Sequence, residues 1–273
     1  MTLGIDIGGT TIQLGLVADH AVVKKDTVPS FRKEATLEET MDYLAACTQE
    51  IIVPEVDKIG IGVPSVVDPV KGIVYDACNI PSWKTVYLKE EMERRFGVPV
   101  QVNNDANCYA LGAASRVPKC EVVVCVTLGT GTGVGIVIEG RLFNGTHCGA
   151  GELASIPYNG ADYEQFCSKK FFTARGITDV RAFTEKADAG DAEALSLFEE
   201  FGRHLGDFLS VLMYAYDPDC IVLGGGIAHT FHLFEQSLWK MLRERYPYKK
   251  TLEDLCITAM PDGDLAVAGA ASL

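Results

Sequence analysis

The chain has 273 residues, enough for two domains of ordinary size, with 48% apolar and 22% charged residues, an ordinary globular composition. Its 37 acidic against 24 basic residues give a net charge of −13, which excludes a nucleic-acid binder that works by neutralising phosphates. No apolar run nears 18–20 residues and no basic segment precedes the first apolar strand, so neither a membrane span nor a secretory leader is expected.

Three strands are predicted in series at the start, Leu3–Ile7, Ile12–Ala18 and Val22–Val28. Between the first two lies Asp6-Ile7-Gly8-Gly9-Thr10-Thr11, a glycine turn whose N–H groups and hydroxyls can approach an anion closely. A carboxylate at Asp6, facing that turn, can hold Mg²⁺ directly or through water, or can simply cap the turn. Leu37, Met41, Leu44, Thr48 and Ile51 recur at helical steps, and buried strands follow at Lys58–Val63 and Val98–Val102. Strands alternating with helices predict a mostly parallel α/β sheet.

Trp83, in Asn79-Ile80-Pro81-Ser82-Trp83, either stacks on a sugar or packs in the core. Val102-Asn103-Asn104-Asp105-Ala106-Asn107 joins a strand to the helical stretch Tyr109–Ser115. Asp105 at such a junction is either an N-cap or a general base for an attacking hydroxyl. Three amides around one carboxylate exceed what a cap requires, and Asn104 can orient a substrate hydroxyl.

The order begins again after residue 120, with strands Glu121–Leu128, Gly133–Glu139 and Arg141–Phe143. A second Gly-Thr turn, Gly129-Thr130-Gly131-Thr132-Gly133, joins the first two of these strands. Two such turns, one per half, point to a polyphosphate gripped from both sides and hence to nucleotide-dependent phosphoryl transfer. Asn144-Gly145-Thr146 matches a glycosylation sequon but reads better as a turn. Gly149-Ala150-Gly151-Glu152, with Glu164 twelve positions on, offers carboxylates to a polyhydroxylated ligand. A strong helix covers about Asp191–Tyr216, and strand Cys220–Leu223 ends in Gly224-Gly225-Gly226, where a flat aromatic or a phosphate can approach the backbone. The closing Ala-Val-Ala-Gly-Ala-Ala run predicts a helix packed closely on a neighbour. The nine cysteines include no C-x-x-C pair, and several lie inside apolar strands, which indicates a reducing, cytoplasmic compartment.

Taken in order, LGIDIGGTTIQLGL, GIGVP, NIPSW, VNNDANCYALG, TLGTGTGVGIVI, GAGE, DPDCIVLGGGIA and AVAGAA resemble the ROK family of sugar kinases and repressors over nearly the whole chain. The resemblance implies an α/β, actin-like ATPase (ribonuclease H-like) fold of two α/β domains with a cleft between them. The expected boundaries are 1–112, with the helix at 262–273 packing back on it, and 113–261. It implies a glucokinase-like phosphotransferase using ATP and Mg²⁺, with Asp105 as catalytic base, and Asp6, Gly8, Gly9, Thr10, Thr11, Gly129, Thr130, Gly131 and Thr132 at phosphate or metal. Gly225 and Gly226 would lie on the adenosine side, and Asn79, Asn104, Glu152 and Glu164 would contact the sugar. A cytoplasmic homodimer without nucleic-acid or membrane partners is expected.

One stretch departs from the family. Its usual Ile/Leu-Gly-His step and C-x-C-G-x-x-G-C zinc loop are replaced by Leu153-Ala154-Ser155 and the short Asn159-Gly160-Ala161-Asp162-Tyr163. Cys148 and Cys167 alone cannot complete a four-ligand site, so no zinc is expected. Because the missing His also helps to bind sugar in the family, glucose, N-acetylmannosamine, N-acetylglucosamine, allose, mannose and fructose all stay open. Two other readings stand beside the kinase. A repressor would carry a helix-turn-helix before the first strand, and none is expected here. A non-catalytic sugar-binding regulator would retain the site without turnover.

Overall fold

The protein is described from a computed structural model covering residues 1–273, except His20, Cys78 and His147. It divides into two compact units, Met1–Arg116 with Gly140–Ala150 and Gly263–Leu273, and Val117–Glu139 with Gly151–Asp262.

In the first unit, β1 (Thr2–Ile7), β2 (Thr11–Ala18) and β3 (Ala21–Pro29) form an antiparallel meander, and α1 (Leu37–Ile51) follows. Thr36 and Glu39 cap α1 reciprocally, so its start is encoded locally. β4 (Lys58–Val63) pairs parallel with β1. A small antiparallel sheet of β5 (Val66–Asp68), β6 (Ile73–Tyr75) and β7 (Thr85–Val86) comes next, then α2 (Leu88–Phe96). β8 (Val100–Asn104) pairs parallel with β4 and runs directly into α3 (Asp105–Ala114). The sheet order is β3-β2-β1-β4-β8. Leu3, Ile5, Ile7, Ile59, Ile61 and Val63 alternate into its buried faces.

In the second unit, β9 (Val122–Leu128) and β10 (Thr132–Ile138) form a hairpin. The short β11 (Arg141–Leu142) follows in the chain and falls in the first unit's Gly140–Ala150 stretch; the second unit resumes with a tight hairpin of β12 (Pro157–Tyr158) and β13 (Ala161–Asp162). Helices α4 (Tyr163–Cys167), α5 (Lys169–Thr173), α6 (Val180–Asp188) and α7 (Ala192–Tyr216) lead to β14 (Cys220–Gly224). After α8 (Phe231–Arg245) and α9 (Lys249–Asp254), β15 (Cys256–Ala259) completes the parallel run β9-β14-β15. Asp191 caps α7, whose residues Phe198, Phe201, Leu205, Phe208 and Leu212 are all buried.

The chain closes with α10 (Asp264–Ala271), which packs within the first unit. Gly60 and Gly112 make that packing possible, since a Cβ on either would strike the Ala270 or Leu265 carbonyl of α10.

Candidate active site

In the first unit the β1–β2 turn is closed by the Gly8 N–H donating to the Thr11 carbonyl at 2.9 Å. The Ser30 hydroxyl donates to the Gly8 carbonyl at 2.7 Å, fixing the turn from β3's end. Asn79 lies beside this turn, its amide nitrogen in contact range of the Cα substituent position of Gly9. Asp6 is the last polar residue of β1 and is paired with Gly62 of β4, which is in turn opposite Asn103 of β8. That register brings the ends of β1 and β8, and with them Asp6 and Asp105, to one edge.

Burial is the main reason the Asp6 carboxyl is pushed up to about 7 from 3.8; the neighbouring Asp105 charge adds to it and Lys25 opposes it. The thiol of Cys108, one turn into α3, is raised well above 9 by burial and by the same two carboxylates, so it lies against the pair.

At the junction two side chains meet the first N–H groups of α3, and the Asp105 Oδ1 accepts from the Ala106 N–H at 2.8 Å. The cap of α3 is Asn104, whose Oδ1 accepts from the N–H groups of Ala106 at 2.9 Å and Asn107 at 3.3 Å. Asp105 is the first residue of the helix proper, which starts four residues before the predicted Tyr109. Behind it, Asn103 Oδ1 accepts from Asn104 N–H at 2.8 Å and from Asn107 Nδ2 at 3.0 Å. Asn144 Oδ1 accepts from Asn103 Nδ2 at 3.1 Å and Asn107 Nδ2 at 3.3 Å. The sequence shows Asn144 only as a turn residue, because its partners lie about forty positions away and no local pattern marks them. This buried amide network fixes the backbone from which Asp105 projects.

Trp83 is fully buried, packs at a tilt against Phe31 with ring centroids 5.4 Å apart, and donates its indole N–H to the Thr40 hydroxyl at 2.8 Å. It is core packing, and the sugar-stacking alternative falls because no face of the ring reaches solvent.

In the second unit the β9–β10 turn is closed by the Gly129 N–H donating to the Gly131 carbonyl at 2.9 Å. The Thr132 hydroxyl donates to the Cys167 carbonyl at 2.9 Å, and the Lys169 N–H donates to the Gly129 carbonyl at 2.8 Å. A cavity of about 960 Å³ opens beside this turn, lined by Gly129, Thr130, Lys169, Arg181, Gly226 and His229 among others. Gly225, at φ 79°, packs against the Leu128 backbone, where a Cβ would collide; this brings the glycine run of β14 against the turn. The turn and the glycine run therefore share one cavity, of a size that accepts a nucleotide.

Glu152 is exposed at the start of a single 3-10 turn. Glu164 lies against the second turn: its Oε2 accepts the Thr132 N–H at 3.2 Å, and Oε1 pairs with the Lys170 ammonium. Lys169, Lys170 and Arg181 supply positive charge near the cavity, and none of them stands out in the sequence as more than surface charge.

Where the family resemblance places a zinc loop, the chain has the β12–β13 hairpin, turned by Asn159 and Gly160 with φ of 47° and 81°. Tyr158 and Tyr163 stack across it at 4.2 Å. The Tyr163 hydroxyl donates to buried Asp207 at 2.9 Å, which also pairs with Arg245. The Tyr158 hydroxyl and His204 Nδ1 are in hydrogen-bond contact at 3.0 Å, and burial lowers the His204 pKa. Cys148 belongs to the first unit and Cys167 to the second, and both are buried.

The ROK family profile matches residues 2–273. The chain is 30% identical over 265 residues to a glucokinase of Halalkalibacterium halodurans, covering 83% of this chain and 80% of that one. It is 27% identical to an N-acetyl-D-glucosamine kinase of Aliivibrio salmonicida, covering 86% and 87%. Its structure is similar to a ROK family glucokinase from Streptomyces griseus solved with glucose and AMPPNP, with a TM-score of 0.84, 28% identity, and 99% and 98% of the two chains covered. The chain therefore belongs to the ROK family and has its actin-like ATPase fold.

Proposed function

We propose that the protein is an ATP-dependent kinase of a hexose or hexose derivative, with Asp105 as the general base. The observation that carries this reading is the junction at Asn104: Asn104 caps α3, and the Asp105 carboxylate, one of whose oxygens accepts the Ala106 N–H at 2.8 Å, lies near the buried Asp6 carboxyl of the glycine turn. Asp105 accepts the proton of the attacking sugar hydroxyl, a primary hydroxyl such as O6, as that oxygen bonds to the γ-phosphorus and the bond from the γ-phosphorus to the β,γ-bridging oxygen breaks, releasing ADP. Asn79, Asn104, Glu152 and Glu164 are the side chains assigned to the sugar. The Gly8–Thr11 and Gly129–Thr132 turns present N–H groups and hydroxyls to the phosphates, with the nucleoside in the cavity beside Gly225 and Gly226.

The donor set fits a divalent cation, because Asp6 is a desolvated carboxyl beside a second carboxylate and both offer hard oxygen ligands. Mg²⁺ held by Asp6, directly or through water, would supply positive charge to the phosphates. Glucose and N-acetylglucosamine head the substrate panel, since they are named for the relatives.

The test is ADP release with Mg-ATP over a panel of hexoses and N-acetylhexosamines. Turnover on one sugar is expected, and Asp105→Asn should lower kcat by about 10²–10⁴ while leaving the fold intact. Wild-type turnover in that variant removes Asp105 from the base role. Sugar binding with no turnover on any acceptor would instead favour the non-catalytic regulator.

A further inference from the structure

Three thiols gather at one corner of the second unit. Cys220 opens β14 and is the direct partner of Cys256, the first residue of β15, in the parallel register. The thiols of these two are in side-chain hydrogen-bond contact. Cys120, two residues before β9, makes a similar contact with Cys220 from the opposite side. Asp219 pins the corner, its Oδ2 accepting from the N–H groups of Glu121 at 2.9 Å and Val122 at 2.8 Å, while its carbonyl accepts from the Cys256 N–H at 3.0 Å.

The three differ in access: Cys256 is exposed, Cys120 half-buried and Cys220 fully buried. Neighbouring strands lie about 4.8 Å apart, inside the Cα separation of roughly 4.4–6.8 Å that a disulfide needs. Register partners also point to the same face. Closing the bond needs a small inward shift of the Cβ atoms, and β15 is the edge strand of its sheet, with Cys256 at its very end. Side chains at a strand end on a sheet edge move at low cost.

We propose that Cys220 and Cys256 form an oxidisable dithiol, with Cys256 as the thiol that meets a small disulfide oxidant. The Cys256 thiolate attacks one sulfur of the oxidant, forming a mixed disulfide and releasing one thiol. Cys220 then loses its proton and attacks the Cys256 sulfur, releasing the second thiol and leaving the Cys220–Cys256 bond. Two electrons pass to the oxidant and both protons leave on its two thiols. Burial raises the Cys220 pKa, so this second step is the slow one and speeds up with pH. The site is far along the chain from the proposed catalytic residues and does not depend on the kinase reading.

The test uses the whole chain, equilibrated with oxidised glutathione, alkylated and digested with trypsin. Cleavage after Lys119, Arg141, Arg203, Lys240 and Lys250 puts Cys120, Cys220 and Cys256 on three separate peptides. The expected product is a peptide pair joined through Cys220 and Cys256, two hydrogens lighter than the reduced pair. It should disappear in Cys256→Ser, an exposed position where folding is safe, and persist in Cys47→Ser. Glutathione retained on Cys256 with no internal link overturns the proposal, as does full alkylation of both thiols after oxidation. A link between Cys120 and Cys220 in the wild-type chain overturns the assignment of the pair.

Discussion

Asp6 is the residue with the largest electrostatic cost in the proposed site, and the cost has a definite sign. In the folded chain its carboxyl keeps a proton up to about pH 7, against 3.8 for an ordinary aspartate. Between those values the unfolded chain binds fewer protons than the folded one, so stability falls as pH rises from about 4 to about 7. At ~1.4 kcal/mol per unit the shift corresponds to about 4 kcal/mol, and solvent reaching this half-buried residue reduces that to about 2 kcal/mol. Asp6→Asn, neutral at every pH, should therefore be about 2 kcal/mol more stable than the parent at pH 8 in the presence of a chelator. The gap should close towards pH 4. Urea denaturation of both proteins across that range measures it, and equal stabilities at pH 8 would mean the carboxyl is not desolvated. The same proton competes with a cation, so Mg-ATP binding should need less Mg²⁺ at pH 8 than at pH 6, and calorimetric titration at the two pH values checks this. Asp6 was legible as a turn-facing carboxylate from D-x-G-G-T. Its proximity to Asp105 was not, because that follows from the β1–β4–β8 register across about a hundred residues.

The β12–β13 hairpin shows the same limit at the scale of an element. In the sequence Asn159-Gly160 reads only as part of a shortened loop, because the strands it joins are two residues each and carry no alternating pattern. What holds it is not legible either, because Tyr163 meets Asp207 and Tyr158 meets His204 from α7, more than forty positions on. Stacked rings and two hydrogen bonds pack this hairpin against α7. Among the described residues, no group of three or more His, Cys, Asp or Glu side chains is placed to hold a metal. Removing the stack should destabilise the chain measurably. Tyr158→Ala is expected to cost about 2–3 kcal/mol, less than a fully buried aromatic because Tyr158 is half-buried. Dialysis against a chelator should leave Tm unchanged, and elemental analysis should find no stoichiometric zinc. One zinc per chain, or a chelator-induced fall in Tm, would refute the packing account. Helices α1, α3 and α7 were legible to differing degrees for a similar reason. The apolar period of α1 and α7 is continuous and their caps are local, whereas α3 begins with Asp-Ala-Asn-Cys, which has no amphipathic pattern and takes its helical start from Asn104.

The two units are each built from separated stretches of chain, three for the first and two for the second. Only the last eleven residues, Gly263–Leu273, bring the C-terminus into the first unit, as α10. Its composition, Ala-Val-Ala-Gly-Ala-Ala, shows that something must pack closely on it, yet the partners β1, β4 and α3 cannot be read from residues so distant. The structure gives them a common device. Backbone meets backbone where Gly4 faces Val267, Gly60 faces Ala270, and Gly112 and Gly269 bring α3 and α10 together. Almost no side chain fills these contacts, so the seam has no freedom to relax around an added methyl group. A Cβ on Gly112 would strike the Leu265 carbonyl, and relief requires moving a helix against a sheet that is packed to interior density. Gly112→Ala should thus cost at least about 3 kcal/mol, although alanine is the better helix former by about 1 kcal/mol. Gly149→Ala serves as the control, since nothing lies within 4 Å of its added Cβ, and should stay within about 0.5 kcal/mol of the parent. Urea denaturation followed by the fluorescence of buried Trp83, in a Trp239→Phe background, reports the first unit alone because Trp239 belongs to the second. If Gly112→Ala matches the control, α10 is free to slide on α3, and the seam is not what joins the chain's last helix to the strand that carries Asp6.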